Sequence, residues 1–143
     1  MGIDFGAKHV GIALSDPGRI IASPFETIKR ERESMLRPTY RRITDIMKEQ
    51  DVDLVVLGHP LNMDDTKSER TLKCEAFGEE LARRIEAEHL EAEVVLWDER
   101  LSTVSADEIL VESGIEVKDR KKYVDKIAAA LILEDFMKNS GRI

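Results

Sequence analysis

The sequence predicts an α/β protein in which helices flank a mixed five-stranded sheet. Three short apolar segments that favour strands open the chain, with turn residues between them. Short apolar runs then alternate with longer segments of helical periodicity. Antiparallel strands followed by strand–helix alternation indicate a sheet that is extended by parallel strands. Because the chain has 143 residues, we expect one domain over residues 1–143.

The first three strands are predicted to form an antiparallel meander. Gly2–Phe5 and Val10–Ser15 are short and β-compatible, and a turn rich in small residues separates them. Ile20–Lys29 is the third predicted strand. Pro24 favours a position at the sheet edge for that strand, because proline cannot donate a hydrogen bond to a neighbouring strand.

Helices and apolar strands alternate in the rest of the chain. Apolar residues at helical spacing predict helices over Arg37–Gln50 and Ser68–His89. The runs Leu54–Gly58 and Val94–Trp97 are too short for helices and are expected to be strands buried on both faces. Two more helical patterns cover Ser102–Ser113 and Tyr123–Lys138.

Composition excludes several classes of protein. Acidic residues outnumber basic ones by 29 to 22, and the net charge of −7 argues against a globally basic nucleic-acid wrapper or a membrane-surface binder. No apolar run approaches the roughly 20 residues that span a bilayer, and no signal-peptide pattern opens the chain, so we expect a cytoplasmic protein. The single cysteine, Cys74, is expected to be a structural helix residue.

Acidic residues interrupt or follow three apolar elements. Asp4 lies inside the first strand, Asp98 and Glu99 follow the last, and Asp125 stands near the start of an Ala- and Leu-rich helix. Strand alternation sends Asp98 and Glu99 to opposite faces, so one of them is expected to share a site with Asp4. Carboxylates are the ligands that Mg²⁺ prefers, which makes a divalent-cation site the functional hypothesis. Solvent-facing acids, surface ion pairs and a helix-dipole partner are the structural alternatives.

Two basic clusters offset the acidic net charge locally. Residues 29–42 hold six basic and two acidic residues, and residues 118–126 hold five and two. Such clusters supply salt-dependent affinity for phosphates. A solvated helix face explains the first cluster equally well, whereas phosphate binding is favoured for the second because it adjoins Asp125. Aromatic residues are few and scattered, so recognition of the nucleic-acid backbone is expected rather than base stacking.

Four motifs resemble those of the YqgF family, also called RuvX, and they occur in that family's order. They are GIDFGAKHVGIALSD at 2–16, GHPLNMD at 58–64, DERLST at 98–103 and DKIAA at 125–129. The resemblance covers essentially the whole chain. It implies an RNase H-like fold and a nuclease that processes the 5′ end of pre-16S ribosomal RNA.

The resemblance also implies roles for particular residues. The catalytic acids would be Asp4, Glu99 and Asp125, and with Asp98 as reserve for the middle role they would bind Mg²⁺ or Mn²⁺. Residues expected to bind substrate are Lys8, Asn62 and Arg100 from the motifs and Lys121 and Lys122 from the second basic cluster.

Three departures from the family pattern bear on these roles. His9 stands where the family commonly has arginine, so binding at the first turn is expected to weaken or to depend on pH. His59 replaces a usually apolar residue, and Asp65 replaces a usual glycine and is expected to alter its turn.

Alternative functions stay open at this point. One alternative is a Holliday junction resolvase that acts on branched DNA. The other is a noncatalytic module that binds nucleic acid or a transcription complex. A resolvase would need a homodimer, whereas an RNA nuclease can be a monomer. An actin-like ATPase is disfavoured because the sequence has no second glycine-rich phosphate loop.

Overall fold

The computed structural model describes residues 1–99, 109, 112–114 and 116–139. Its five strands are β1 (Gly2–Phe5), β2 (His9–Ser15), β3 (Ala22–Lys29), β4 (Leu54–His59) and β5 (Glu93–Asp98). Its long helices are α1 (Arg37–Glu49), α2 (Glu69–Ala87) and α3 (Val117–Asn139). The strand order is β3-β2-β1-β4-β5, with β1, β2 and β3 antiparallel and β4 and β5 added in parallel. The predicted mixed five-stranded sheet is therefore confirmed.

The two faces of the sheet are covered by different helices. Ile3 and Phe5 pack with α1 and α2, for example against Ile43 and Phe77, and we call this the α1–α2 face. On the opposite face, which we call the α3 face, Val56 packs with Leu133 and neighbouring residues of α3. Alternation along β1 places Gly2 and Asp4 on the α3 face.

Two glycines allow α3 to lie directly against the sheet. A Cβ atom added at Gly2 would lie 2.8 Å from Cβ of Leu133, and one at Gly11 would lie 2.8 Å from the backbone nitrogen of Lys126. Real Cβ atoms do not approach other atoms this closely, so only glycine fits at either position. The close contact brings Asp125 of α3 over β2 and Leu133 over β1.

The positions of two strands in the sheet explain where predictions succeeded and failed. β4 is central, and its residues Val55 to Leu57 are fully buried, as predicted. β5 was also expected to be buried on both faces, which is wrong: it is the last strand of the described sheet, and Leu96 is 43% exposed. β3, the strand with Pro24, lies at the other edge, as its proline predicted.

The remaining predictions concern a cysteine and a helix. Cys74 is buried in α2, where Sγ donates a hydrogen bond of 3.0 Å to the carbonyl of Gly58. Burial raises the pKa of the Cys74 thiol to about 12, which keeps it protonated and structural.

The helix predicted over Ser102–Ser113 lies outside the described residues, except for positions 109, 112 and 113. None of the described helices is long and apolar enough to cross a membrane.

Candidate active site

Asp4 is a half-buried acid on the α3 face of β1, directly opposite Gly11 of β2. Burial, and after it the negative charges of Glu99 and Asp125, raise the pKa of Asp4 to about 7, and Arg70 partly opposes this shift. No hydrogen-bond donor among the described residues stabilises its ionised form. Asp4 therefore carries a carboxylate whose ionisation the fold opposes near neutral pH.

Asp125 reaches this site because α3 contacts β2 at Gly11. The missing side chain at Gly11 leaves room for the backbone of Asp125 and Lys126, as described above. Burial raises the pKa of Asp125, and the nearby His9 counteracts that shift. His9 thus acts electrostatically on one of the predicted acids.

Glu99 follows β5 and lies over the end of β4. A Cβ atom added at Gly58 would lie 3.0 Å from Cδ of Glu99 and 2.6 Å from Cδ1 of Ile132, a residue of α3. Burial raises the pKa of Glu99, His59 opposes this shift, and Asp98 adds to it. Glycine at position 58 is therefore what lets the Glu99 side chain reach the α3 face.

Asp98 occupies a different position from Glu99. It is the last residue of β5 and pairs in register with His59 of β4. The charges that act on the carboxylate of Asp4 include that of Glu99 and not that of Asp98. Glu99 therefore acts on Asp4 electrostatically, and the metal-binding roles of all four acids stay predictions.

The chemistry of these carboxylates fits a divalent cation. The pKa values of Asp4, Glu99 and Asp125 are all raised, and a bound cation would remove the electrostatic penalty of ionising them together. Oxygen donors are also the ligands that magnesium prefers. Across the described ranges, however, no three acidic, histidine or cysteine side chains stand close enough to hold one ion together. The donor set fits the cation, but its described arrangement is not a closed ligand shell.

The predicted substrate-binding residues have different surroundings. Lys8 is exposed in the turn between β1 and β2, and its carbonyl accepts a hydrogen bond of 2.7 Å from the backbone N–H of Arg30. Arg100 lies outside the described residues. Lys121 and Lys122 belong to α3, but the structure does not describe their side chains.

Asn62 stabilises its own loop. Its Nδ2 donates a hydrogen bond of 2.9 Å to Oγ1 of Thr66, and its backbone N–H bonds to the Thr66 carbonyl at 3.0 Å. Asp65, in the same loop, adopts a left-handed backbone with φ of 69°. The turn therefore keeps a conformation that favours glycine although aspartate occupies it.

The first basic cluster is not a free cationic surface. Arg30 is only 3% exposed. Arg42 donates two hydrogen bonds, of 2.9 and 2.7 Å, to the carboxylate of Glu26. Two of the six basic residues between positions 29 and 42 are thus buried or paired with a carboxylate, so the cluster does not form one exposed cationic patch.

Sequence reasoning missed two residues beside the acids. Arg70, near the start of α2, acts electrostatically on Asp4 although the two are far apart in the chain. His59 lies 2.7 Å from Glu75, measured from Nε2 to Oε2, and its charge acts on Glu99. No spacing rule signals Arg70. His59 was noticed only as a departure from a motif, although its place at the end of a central strand was a usable signal.

The fold belongs to the RNase H-like α/β class. A solved structure of RuvC from Thermus thermophilus in complex with a Holliday junction substrate superposes with a TM-score of 0.61, covering 96% of this chain and 92% of RuvC at 14% sequence identity. A second T. thermophilus RuvC structure gives a TM-score of 0.57 at 14% identity, covering 97% of this chain and 95% of RuvC. At this identity the likeness concerns the fold alone, and the expected fold class is confirmed.

Within this class, the chain belongs to the RuvX family. The RuvX family profile, described as Holliday junction resolvase, matches residues 1–139. Relatives named "Putative pre-16S rRNA nuclease" include those of Lachnospira eligens, 49% identical with 99% of this chain and 98% of the relative covered, and Agathobacter rectalis, 46% identical with 98% and 96% covered. The relative of that name from Bacillus thuringiensis is 40% identical, with 96% of each chain covered. The resemblance of the four motifs is thereby confirmed.

Proposed function

We propose that this protein is a divalent-metal-dependent nuclease that hydrolyses phosphodiester bonds at the 5′ end of pre-16S ribosomal RNA. The observation that carries the proposal is that the charges of Glu99 and Asp125, from two other elements, both act on Asp4 of β1. Gly58 and Gly11 make room for the side chain of Glu99 and for the backbone of Asp125 against the sheet. The names of the relatives at 40–49% identity supply the substrate.

The chemistry proposed for the site follows from its charge. A divalent cation, when bound, supplies an activated water and stabilises the leaving oxygen of a phosphodiester. Asp4, Glu99 and Asp125 would hold that cation through carboxylate oxygens. The exposed Lys8 on the neighbouring turn would contact a phosphate of the bound strand. Removing the charge of Asp4 should therefore abolish both cation binding and cleavage.

Branched DNA is the second candidate substrate. The family description names a Holliday junction resolvase, and one structural relative was solved with a Holliday junction. A surface that contacts phosphates does not by itself discriminate RNA from DNA. A resolvase must also cut two strands symmetrically, so this alternative predicts a homodimer.

The decisive experiment compares cleavage of a precursor 16S RNA fragment and a synthetic four-way junction, with Mg²⁺, with Mn²⁺ and with a chelator. The variants are Asp4→Asn and the matched control Asp45→Asn, which makes the same substitution on α1. Wild-type protein and the control should cut the RNA only when metal is present, and Asp4→Asn should not cut it. Mg²⁺ should also raise the melting temperature of the wild type and leave that of Asp4→Asn unchanged.

The possible results separate the candidate functions. Preferential cleavage of the junction would assign the branched-DNA activity instead. Undiminished cleavage by Asp4→Asn would show that Asp4 is not a catalytic residue. Binding of the precursor RNA without cleavage in either metal would make the protein a noncatalytic binding module.

A further inference from the structure

Two arginines pack on the ring of Phe5, the neighbour of Asp4 on β1. The guanidinium carbons of Arg30 and Arg70 lie 5.1 and 4.8 Å from the ring centroid. Arg30 is almost fully buried. Burial and the positive charge of Arg70 both lower the pKa of Arg30, so the two guanidinium groups repel each other. Positive charge is thus concentrated on the α1–α2 face, directly across β1 from the acids.

These arginines hold more donors than their protein partners use. Arg30 donates from Nη2 to the carbonyl of Gly6 at 2.8 Å and also to that of Ala7. Its Nε and Nη1 atoms, and Nε and Nη2 of Arg70, are buried and make no hydrogen bond within the described structure. Buried donors of folded proteins are nearly always satisfied, so four unsatisfied donors in one place leave these two arginines with unused hydrogen-bonding capacity.

A carboxylate already occupies the accessible side of this cluster. Oε1 of Glu33, in the connection between β3 and α1, accepts hydrogen bonds of 3.0 Å from Nη1 of Arg70 and 3.2 Å from Nζ of Lys73. Lys73 also lies 3.1 Å from Oε1 of Glu69. The Glu33 oxygen thus lies between a guanidinium and an ammonium group. Phosphate oxygens are bound by the same two kinds of donor through charge-assisted hydrogen bonds.

The fold fixes this cluster at the same edge of the sheet as the acids. Arg70 lies in the first turn of α2, which begins at Ser68 with a reciprocal capping arrangement between Ser68 and Thr71. The guanidinium carbon of Arg70 lies 4.8 Å from the ring centroid of Phe5, the residue next to Asp4 in β1, and the charge of Arg70 acts on the carboxylate of Asp4. A strand that places a phosphodiester at Asp4 would therefore pass within reach of Arg70.

We propose that Arg70 and Lys73, supported by Arg30, form a subsite for a backbone phosphate of the nucleic-acid strand, and that Glu33 occupies this subsite until the strand displaces it. This inference rests on the proposed function, because it assumes a nucleic-acid substrate. Arg70 and Lys73 are positioning residues in this scheme: they fix the register of the strand and take no part in the chemistry. Glu33 would act as an internal competitor that weakens binding without touching the acids.

The inference is tested by measuring binding without cleavage. A fluorescently labelled fragment of the precursor RNA is titrated with protein in the presence of a chelator, and anisotropy gives the dissociation constant. The variants are Glu33→Gln, Arg70→Ala, the double variant, and Glu80→Gln as the matched control. Glu80 lies on α2 and forms ion pairs with Arg83 and Arg84. Glu80→Gln removes one negative charge, as Glu33→Gln does.

Glu33→Gln should tighten binding about 3- to 10-fold beyond any gain in Glu80→Gln, because it frees one charge-assisted phosphate contact. Arg70→Ala should weaken binding about 10-fold and lower the salt dependence by roughly one phosphate contact. In the Arg70→Ala background, Glu33→Gln should lose its advantage over Glu80→Gln. Arg70→Lys, which keeps the charge but not the planar fork, should give an intermediate loss if Arg70→Ala proves unstable.

Results that overturn this inference differ from those that overturn the proposed function. Equal affinities of Glu33→Gln and Glu80→Gln, or a Glu33→Gln gain that survives removal of Arg70, would refute the subsite while leaving nuclease activity intact. Tight RNA binding with no cleavage would refute the nuclease and still allow the subsite to be judged from the same titrations. Failure of the wild type to bind RNA or junction DNA would refute both.

Discussion

Replacing Asp4 by asparagine should stabilise the protein at neutral and alkaline pH while removing its proposed activity. The substitution keeps the shape of the side chain and removes the charge that Glu99, Asp125 and burial oppose. A residue whose loss increases stability but abolishes function is typical of a site where electrostatic strain serves a ligand.

The size and sign of the effect follow from the pKa of Asp4, which rises from 3.8 to about 7 on folding. Each pKa unit corresponds to about 1.36 kcal/mol, so the penalty on the folded wild type approaches about 4 kcal/mol at full ionisation. Because Asp4 is partly exposed, solvent screening reduces this penalty. We therefore expect Asp4→Asn to raise the free energy of unfolding by about 2–4 kcal/mol. The penalty is absent below the unfolded-state pKa, grows as the pH rises from 3.8 to 7, and is complete above 7.

Urea denaturation of wild type and Asp4→Asn at pH 4, 6 and 8, without divalent metal, measures this difference. The gain in unfolding free energy should be near zero at pH 4 and largest at pH 8. Asp16→Asn is a control for which the opposite sign is expected. The backbone N–H groups of Ile21 and Ile20 lower the pKa of Asp16, so they stabilise its ionised form. Removing that charge should therefore destabilise the protein at neutral pH and have less effect in acid. An Asp4→Asn gain that is absent at pH 8, or independent of pH, would refute the electrostatic reasoning.

Three further substitutions test the packing around the site. Gly11→Ala should push the segment around Asp125 away from β2 and destabilise the protein by about 1–3 kcal/mol, as overpacking does, measured by urea denaturation. Gly58→Ala should displace Glu99 and reduce cleavage more strongly than it lowers the melting temperature; equal losses would contradict this. Trp97→Phe should lose about 1 kcal/mol because it removes the 2.7 Å indole hydrogen bond to α3, and activity should be retained.

Local pattern was sufficient to predict most of the sheet. The run Leu54–Gly58 is apolar at every side chain except its terminal glycine, and only a strand covered on both faces explains that pattern. The same reasoning failed for Val94–Trp97, because an apolar run does not reveal whether another strand lies beyond it. Sheet order is a property of the whole chain, and β5 ends the described sheet.

The site was partly predictable for a similar reason. Strand alternation separated Asp98 from Glu99 but did not say which one faces Asp4. The structure distinguishes them through Gly58, whose missing side chain makes room for Glu99. Arg70 was unpredictable because its relation to Asp4 depends on where α2 begins relative to β1, and no short-range pattern encodes that distance.

Strand β1 explains why opposite charges can gather at one edge without neutralising each other. Alternation points Asp4 to the α3 face and Phe5 to the α1–α2 face, so the acids collect on one side of the strand and the guanidinium groups on the other. Among the described residues Arg70 pairs with Glu33, at 3.0 Å from Nη1 to Oε1, and not with Asp4, so the strand keeps the two charges apart. Each charge is then available for a different part of one ligand. A phosphodiester strand with bound cations supplies both, since its phosphates are anionic and the ions at the scissile bond are cationic.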